Sequence, residues 1–167
     1  DSCGELPEDL EQDGHFCHVP LELEVDGVRI PDDETFNQKD FLRRVRECIH
    51  SPKSSCPSPE RYMSAYEGEA ENVYVITLSG RLSGSYNSAM LAKQIYQEDH
   101  PDVKIHVFDS KSAAAAQHLI CERLESYIEQ DLDFKTIVEK TEAYVGKIRT
   151  LFVLDSLDTM RKNGRIT

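Results

Sequence analysis

A short loop rich in serine and glycine is the segment of this sequence best suited to chemistry. Residues 79–85 are Ser-Gly-Arg-Leu-Ser-Gly-Ser, and they lie between an apolar run at 73–78 and an amphipathic run at 89–96. This order predicts a buried strand, a loop, and a helix that begins at the loop. A helix N-terminus offers unpaired backbone N–H groups and partial positive charge, and glycine lets the backbone approach a ligand closely. The loop is therefore predicted to hold a small anion, such as a carboxylate or a phosphate.

The loop lacks the signatures of the common nucleotide and hydrolase sites. No Gly-Lys-Ser or Gly-Lys-Thr ends it, as in a phosphate-binding Walker loop, and it contains neither Gly-x-Gly-x-x-Gly nor the Gly-x-Ser-x-Gly elbow of hydrolases. The alternative interpretation is an ordinary connection from strand to helix with a serine cap.

A second serine segment lies at residues 53–59, Lys-Ser-Ser-Cys-Pro-Ser-Pro. Ser54 and Ser55 would be two hydroxyl donors on a loop that the prolines stiffen. The alternative is a surface turn in which Ser58 caps the next helix. Cys56 has no evident neighbouring base that would make it a nucleophile. No histidine belongs to a cluster that could bind a metal or form a catalytic centre, so we predict neither metal nor catalytic residues.

A small basic cluster at residues 161–165 stands out in an acidic chain. Cations are favourable at a helix C-terminus, which is the simpler explanation. Arg165 falls beyond that predicted helix, and it could reach a bound anion.

Apolar segments alternate with helical ones along most of the chain. This alternation predicts an α/β fold with a mainly parallel sheet and helices on both faces. Serine-bearing loops are then expected at or near the carboxyl ends of strands, where such sheets bind ligands: 79–85, Asp109-Ser110 and, if a strand precedes it, Asp1-Ser2. Predicted strands are 19–25, 28–30 (after an Asp26-Gly27 hairpin), 73–78, 103–108 and 150–154; predicted helices are 35–48 (capped by Thr35), 58–67, 89–98, 113–130, 134–145 and 157–162.

Composition excludes several classes of function. The 167 residues suit one domain, and the formal net charge of −12 argues against binding to nucleic acid or to an anionic membrane surface. No stretch approaches the ~20 apolar residues of a membrane span. The five cysteines are scattered, without Cys-x-x-Cys, which predicts free thiols in a reducing cytoplasm.

Six short motifs, taken in order, resemble the DegV family of bacterial fatty-acid-binding proteins. Each motif alone is weak, but the ordered set is specific and extends over essentially the whole chain. They are residues 1–7 (Asp-Ser-Cys-Gly-Glu-Leu-Pro), 19–21 (Val-Pro-Leu), 54–58 (Ser-Ser-Cys-Pro-Ser), 82–89 (Leu-Ser-Gly-Ser-Tyr-Asn-Ser-Ala), 108–110 (Phe-Asp-Ser) and 163–166 (Asn-Gly-Arg-Ile).

The resemblance implies a binding protein and not a catalyst. Family members are two-domain α/β proteins that hold a fatty acid by its carboxylate and can present it to a separate fatty acid kinase subunit. The resemblance implies no cofactor beyond the bound long-chain fatty acid. By motif, the implied ligand-binding residues are Ser54, Ser55, Ser83, Gly84, Ser85 and Arg165. Ser54 and Ser85 stand where the family commonly has threonine, and both keep the hydroxyl.

The resemblance also suggests how the chain is organised. Residues 1–167 are expected to form the N-terminal α/β domain of a DegV-like protein, without its first strand and most of its second domain. The alternative function is a small serine-loop hydrolase or phosphoryl-handling enzyme, which would need a base near Ser83. A third is a regulatory scaffold whose acidic surface docks a partner kinase.

Overall fold

The computed structural model describes residues 1–4, 6, 14–151, 153 and 157–164. Within those ranges the chain alternates strands and helices, and two small sheets are formed. The strands are β1 (Glu22–Val25), β2 (Val28–Pro31), β3 (Lys53–Ser55), β4 (Asn72–Thr77) and β5 (Lys104–Asp109); the helices are α1 (Gln38–Glu47), α2 (Pro59–Tyr66), α3 (Ser85–Asp99), α4 (Ala115–Glu129), α5 (Phe134–Val145) and α6 (Asp158–Lys162).

The first sheet is antiparallel, with the strand order β2-β1-β3. Asp26 and Gly27 join β1 to β2 with φ angles of +46° and +80°, as a two-residue hairpin turn requires. The predicted hairpin is thus confirmed. Strand β3 pairs with β1 so that Ser54 lies opposite Leu23. The segment expected to be only a loop therefore contains a short edge strand.

The second sheet is a parallel pair, β4 and β5, with helices on both faces. Alternate side chains point to opposite layers, because successive residues of a strand face opposite sides. Val75 and Val107 pack towards α2 and α3 on one face. Ile76 and Phe108 pack towards α4 and α5 on the other face. The predicted helical layers on both sides are confirmed for this pair.

The prediction of a mainly parallel sheet is wrong for the described residues, where three strands are antiparallel and two are parallel. The first sheet departs from the prediction because β1 and β2 are joined by a two-residue turn, and such a turn can join only antiparallel strands. The predicted strand 150–154 is described only in part. Thr150, Leu151 and Val153 lie outside regular structure, and residues 152 and 154 lie outside the described ranges.

Helix boundaries follow local capping where a cap is present. The predicted helix 134–145 is confirmed at both ends, and the Asp133 carboxylate accepts hydrogen bonds from the first-turn N–H groups of Lys135 and Thr136. Thr35 does not cap α1, because its hydroxyl donates to Asp33. Asn37 is the cap instead, and its Oδ1 accepts from the Asp40 N–H at 3.0 Å. None of the described helices has the length and apolar character needed to cross a membrane.

The layer formed by α4 and α5 should depend on one central side chain. Ile120 of α4 is fully buried in the core formed with the sheet, whereas its neighbour Leu119 is 45% exposed. We expect Ile120→Ala to lower the free energy of unfolding by about 2–5 kcal/mol, since it leaves a cavity. Leu119→Ala should change it by less than about 1 kcal/mol. Urea unfolding of both variants checks this, and equal losses would contradict the layered core.

Candidate functional site

The carboxyl ends of β4 and β5 are tied together by backbone donors. The N–H of Gly80 donates to Asp109 Oδ1 at 3.1 Å, and the N–H of Ser79 donates to the carbonyl of Ser112 at 2.7 Å. Asp1 joins the same edge, because its Oδ2 accepts from the N–H of Leu78 at 2.9 Å. The three serine-bearing loops therefore meet at one edge of the sheet, as the sequence predicts.

Two of these loops use their hydroxyls internally. Ser2 Oγ donates to Asp32 Oδ2 at 2.7 Å and accepts from the N–H of Leu21 at 2.9 Å. Ser110 is buried, and its Oγ donates to the carbonyl of Ser112 at 3.1 Å. These serines hold loops in place, so the segment 79–85 is the better candidate for a ligand.

Helix α3 begins at the end of that segment, with Gly84 at the N-cap position. Its first intrahelical bond runs from the N–H of Ser88 to the carbonyl of Gly84 at 2.9 Å. The N–H groups of Tyr86 and Asn87 precede that bond and have no acceptor within the helix. Ser83 is half-buried, and its Oγ accepts from the N–H of Ser85 at 3.2 Å. A hydroxyl and free N–H groups thus lie together at the positive end of the helix dipole.

The second serine segment packs directly on this helix start. A Cβ added to Gly84 would lie 2.9 Å from Cys56 Sγ, so glycine is needed for the contact. Ser88 Oγ donates to the carbonyl of Pro57 at 2.6 Å. The two segments that the sequence marks as candidates are therefore in contact in the fold.

Strand β3 separates the roles of Ser54 and Ser55. Adjacent residues of a strand point to opposite faces of the sheet. Ser54 is half-buried and lies opposite Leu23, whereas Ser55 is exposed. Only one of the two hydroxyls can face a given ligand, which favours Ser54.

The last predicted ligand residue, Arg165, lies outside the described residues. Asn163, two positions earlier, is described, and its Nδ2 donates to the carbonyl of Pro52 at 2.8 Å. This contact brings the end of α6 beside the chain that leads into β3.

Ser85 differs from Ser83 although both belong to the same motif. Ser85 is fully buried, below the half-buried Ser83 and the exposed Gly84. Its side chain interacts with that of Tyr62 on α2, a residue that sequence reasoning did not connect with the site. The spacing of Tyr62 and Tyr66 predicts only that their rings are buried, and gives no signal about a hydroxyl near the serine loop.

The site has donors but no catalytic base in the described part of the chain. In those residues Ser83 Oγ forms hydrogen bonds with Ser85, and no histidine or carboxylate is hydrogen-bonded to it. A serine nucleophile needs such a base within hydrogen-bond reach. The described residues also contain no group of three or more metal-ligating side chains. The arrangement can bind an anion, and it lacks the parts of a triad.

Comparison with known proteins identifies the family. A family model described as an uncharacterised protein of the DegV family matches residues 1–167. The chain belongs to the DegV family. A DegV domain-containing protein of Streptococcus pneumoniae is 44% identical over 152 residues, which are 91% of this chain and 54% of the relative. The chain thus spans about half the length of that relative.

Solved DegV structures match the fold closely. A DegV family protein of Ruminococcus gnavus, described with vaccenic acid, has a TM-score of 0.97 and 44% identity, covering 100% of this chain and 60% of its own. The fatty acid kinase B3 protein of Streptococcus pneumoniae, loaded with linoleic acid, has a TM-score of 0.85 and 44% identity, covering 89% of this chain and 53% of its own.

The close packing of Gly84 against Cys56 can be tested by adding a methyl group at residue 84 and by removing the sulfur at residue 56. Gly84→Ala should lower the free energy of unfolding by about 1–3 kcal/mol, because the new methyl group overlaps the sulfur. The loss should shrink in a Cys56→Ala background, where the methyl would meet only the Cβ of residue 56 at 3.9 Å. A double-mutant cycle by urea unfolding measures the coupling, and additive losses would contradict it.

Proposed function

We propose that this chain holds a fatty acid by its carboxylate at the start of α3. The observation that carries the proposal is the contact between the two serine segments, Cys56-Pro57 against Gly84 and Ser88. This contact gathers hydroxyl and N–H donors from separate parts of the sequence around one helix N-terminus. Relatives with 44% identity are described with vaccenic acid and with linoleic acid, which supports the same class of ligand here.

Neutral donors suit a carboxylate that is bound and not transformed. A carboxylate that leaves water needs several hydrogen bonds to offset its lost hydration. Ser83 Oγ and the N–H groups of Tyr86 and Asn87 can supply them, with Ser54 and Arg165 as further proposed contacts. Since no base is bonded to Ser83 in the described chain, this geometry favours binding over the hydrolase alternative.

The role of the bound acid follows from a relative. The matched Streptococcus pneumoniae protein is named as a fatty acid kinase B3 protein. We propose that this chain likewise presents the carboxylate to a separate kinase subunit and is not itself the catalyst. We also propose that residues 1–167 form the first domain of a two-domain DegV protein. A cytoplasmic location remains a prediction from the cysteine content.

The first test identifies the ligand directly. The protein is purified as its natural gene encodes it, denatured and extracted, and the extract is analysed by mass spectrometry. We expect a long-chain fatty acid in near-stoichiometric amount, and binding of added oleate to delipidated protein. A protein that carries no acyl chain and does not bind oleate would contradict the proposal. Hydrolysis of a generic ester, lost in Ser83→Ala, would instead favour the enzyme alternative.

The second test removes the proposed hydroxyl donors. We expect Ser54→Ala and Ser83→Ala each to weaken oleate binding by about 1–3 kcal/mol, the usual cost of a lost hydrogen bond to a charged group. Ser126→Ala is the matched control, because Ser126 lies on α4, on the opposite face of the sheet. Isothermal titration with oleate measures all three. Unchanged affinity in either site variant would exclude that serine from the site.

A further inference from the structure

We propose that Tyr62 and Ser85 are positioning residues that turn the hydroxyl of Ser83 towards the bound carboxylate. This inference rests on the proposed function, and it assigns a role to two buried hydroxyls.

Tyr62 carries the observation that calls for an explanation. Its side chain is fully buried on α2, and among the described residues its hydroxyl forms no hydrogen bond of normal geometry. Burial raises the pKa of Tyr62, and a side-chain interaction with Ser85 opposes this shift, so the two hydroxyls are close without a hydrogen bond of normal geometry between them. The group is therefore a neutral donor that lies beside Ser85. An unpaired buried hydroxyl is costly, so its retention requires a reason.

Ser85 connects this hydroxyl to the surface. It is fully buried, and its Oγ lies 3.4 Å from Ser83 Oγ, which donates to it. Ser83 Oγ also accepts from the N–H of Ser85 at 3.2 Å. In the structure the Ser83 hydroxyl thus donates inward, to Ser85, and the Tyr62 hydroxyl forms no hydrogen bond of normal geometry.

A bound carboxylate changes the direction of these bonds. An ionised carboxylate only accepts hydrogen bonds, so Ser83 must turn its proton outward to meet it. Ser85 then loses its donor. Tyr62 replaces that donor, and Ser85 turns its own proton to Ser83 Oγ. Every hydroxyl is now used, in the order Tyr62, Ser85, Ser83, carboxylate, and no proton leaves its oxygen.

This order makes a prediction about ligand selectivity. A fatty alcohol has a proton of its own, so it can donate to Ser83 without reversing the inner bonds. Tyr62 should therefore matter for a fatty acid and not for the matching alcohol. A tyrosine that merely fills the core would affect both ligands alike.

The test compares oleate with oleyl alcohol on delipidated protein from the natural gene. We expect Tyr62→Phe to weaken oleate binding about 3- to 10-fold, as for one lost hydrogen bond. Binding of oleyl alcohol should change less than about twofold. The matched control is Tyr66→Phe, one turn further along α2, whose buried hydroxyl donates to the carbonyl of Ala89 at 3.1 Å and lies outside the relay. It should leave the ratio of the two affinities unchanged.

The thermal stability of the two tyrosine variants should also differ. Tyr62→Phe removes an unpaired hydroxyl and should leave Tm unchanged or raise it, whereas Tyr66→Phe loses a made bond and should lower Tm. Should Tyr62→Phe fold poorly, Ser85→Ala breaks the same relay and should show the same loss for oleate alone. In a Ser85→Ala background, Tyr62→Phe should have no further effect on oleate.

Two results would overturn the inference while leaving the proposed function intact. One is an unchanged oleate affinity in Tyr62→Phe, and the other is an equal weakening of acid and alcohol. If the unmodified protein binds no oleate, the proposed function itself fails, and the relay fails with it.

Discussion

The packing of Cys56 against Gly84 is the contact on which the candidate site depends. Cys56 follows β3 of the antiparallel sheet, whereas Gly84 follows β4 of the parallel pair, so the contact joins the serine segments of both sheets. Helix α2 starts three residues after Cys56 and packs on α3, where the Tyr66 hydroxyl donates to Ala89 and its ring meets Tyr96 edge-on at 5.8 Å. Because close-packed helices do not slide freely, the helix pair fixes how the two segments meet.

The loops at this edge divide their polar groups between structure and ligand. Carboxylates perform the structural work, as Asp1 accepts from the N–H of Leu78 and Asp109 accepts from the N–H groups of Gly80 and Lys111. Acceptors used in this way hold the loops in place. A chain with a net charge of −12 thus has neutral donors at one helix end, where the positive end of the helix dipole locally opposes the overall charge.

Local signals account for what the sequence could predict. The hairpin follows from Asp26-Gly27, and helix α5 follows from an aspartate cap and apolar spacing. Strand β3 has three polar residues and no pattern of its own, since it exists through pairing with β1 far along the chain. Helix α4 was expected to begin at Ala113, but Ala114 has φ of +49° and delays the start to Ala115. Neither the pairing of β3 with β1 nor the positive φ of Ala114 can be predicted from the residue types alone.

In the candidate site, too, some features follow from the local sequence and others only from packing. The residue at the N-cap of α3 shows both. Ser83 and Ser85 look equivalent in sequence, but the fold leaves Ser83 half-buried and buries Ser85 fully. A serine at the N-cap would bond the N–H groups of the first turn and strengthen the helix. The cap here is Gly84, with serines on either side of it, so the N–H groups of Tyr86 and Asn87 have no capping side chain. The glycine also admits the sulfur of Cys56. A capping side chain and a bound anion would compete for the same donors, and glycine at this position leaves those donors uncapped, as the proposed site requires.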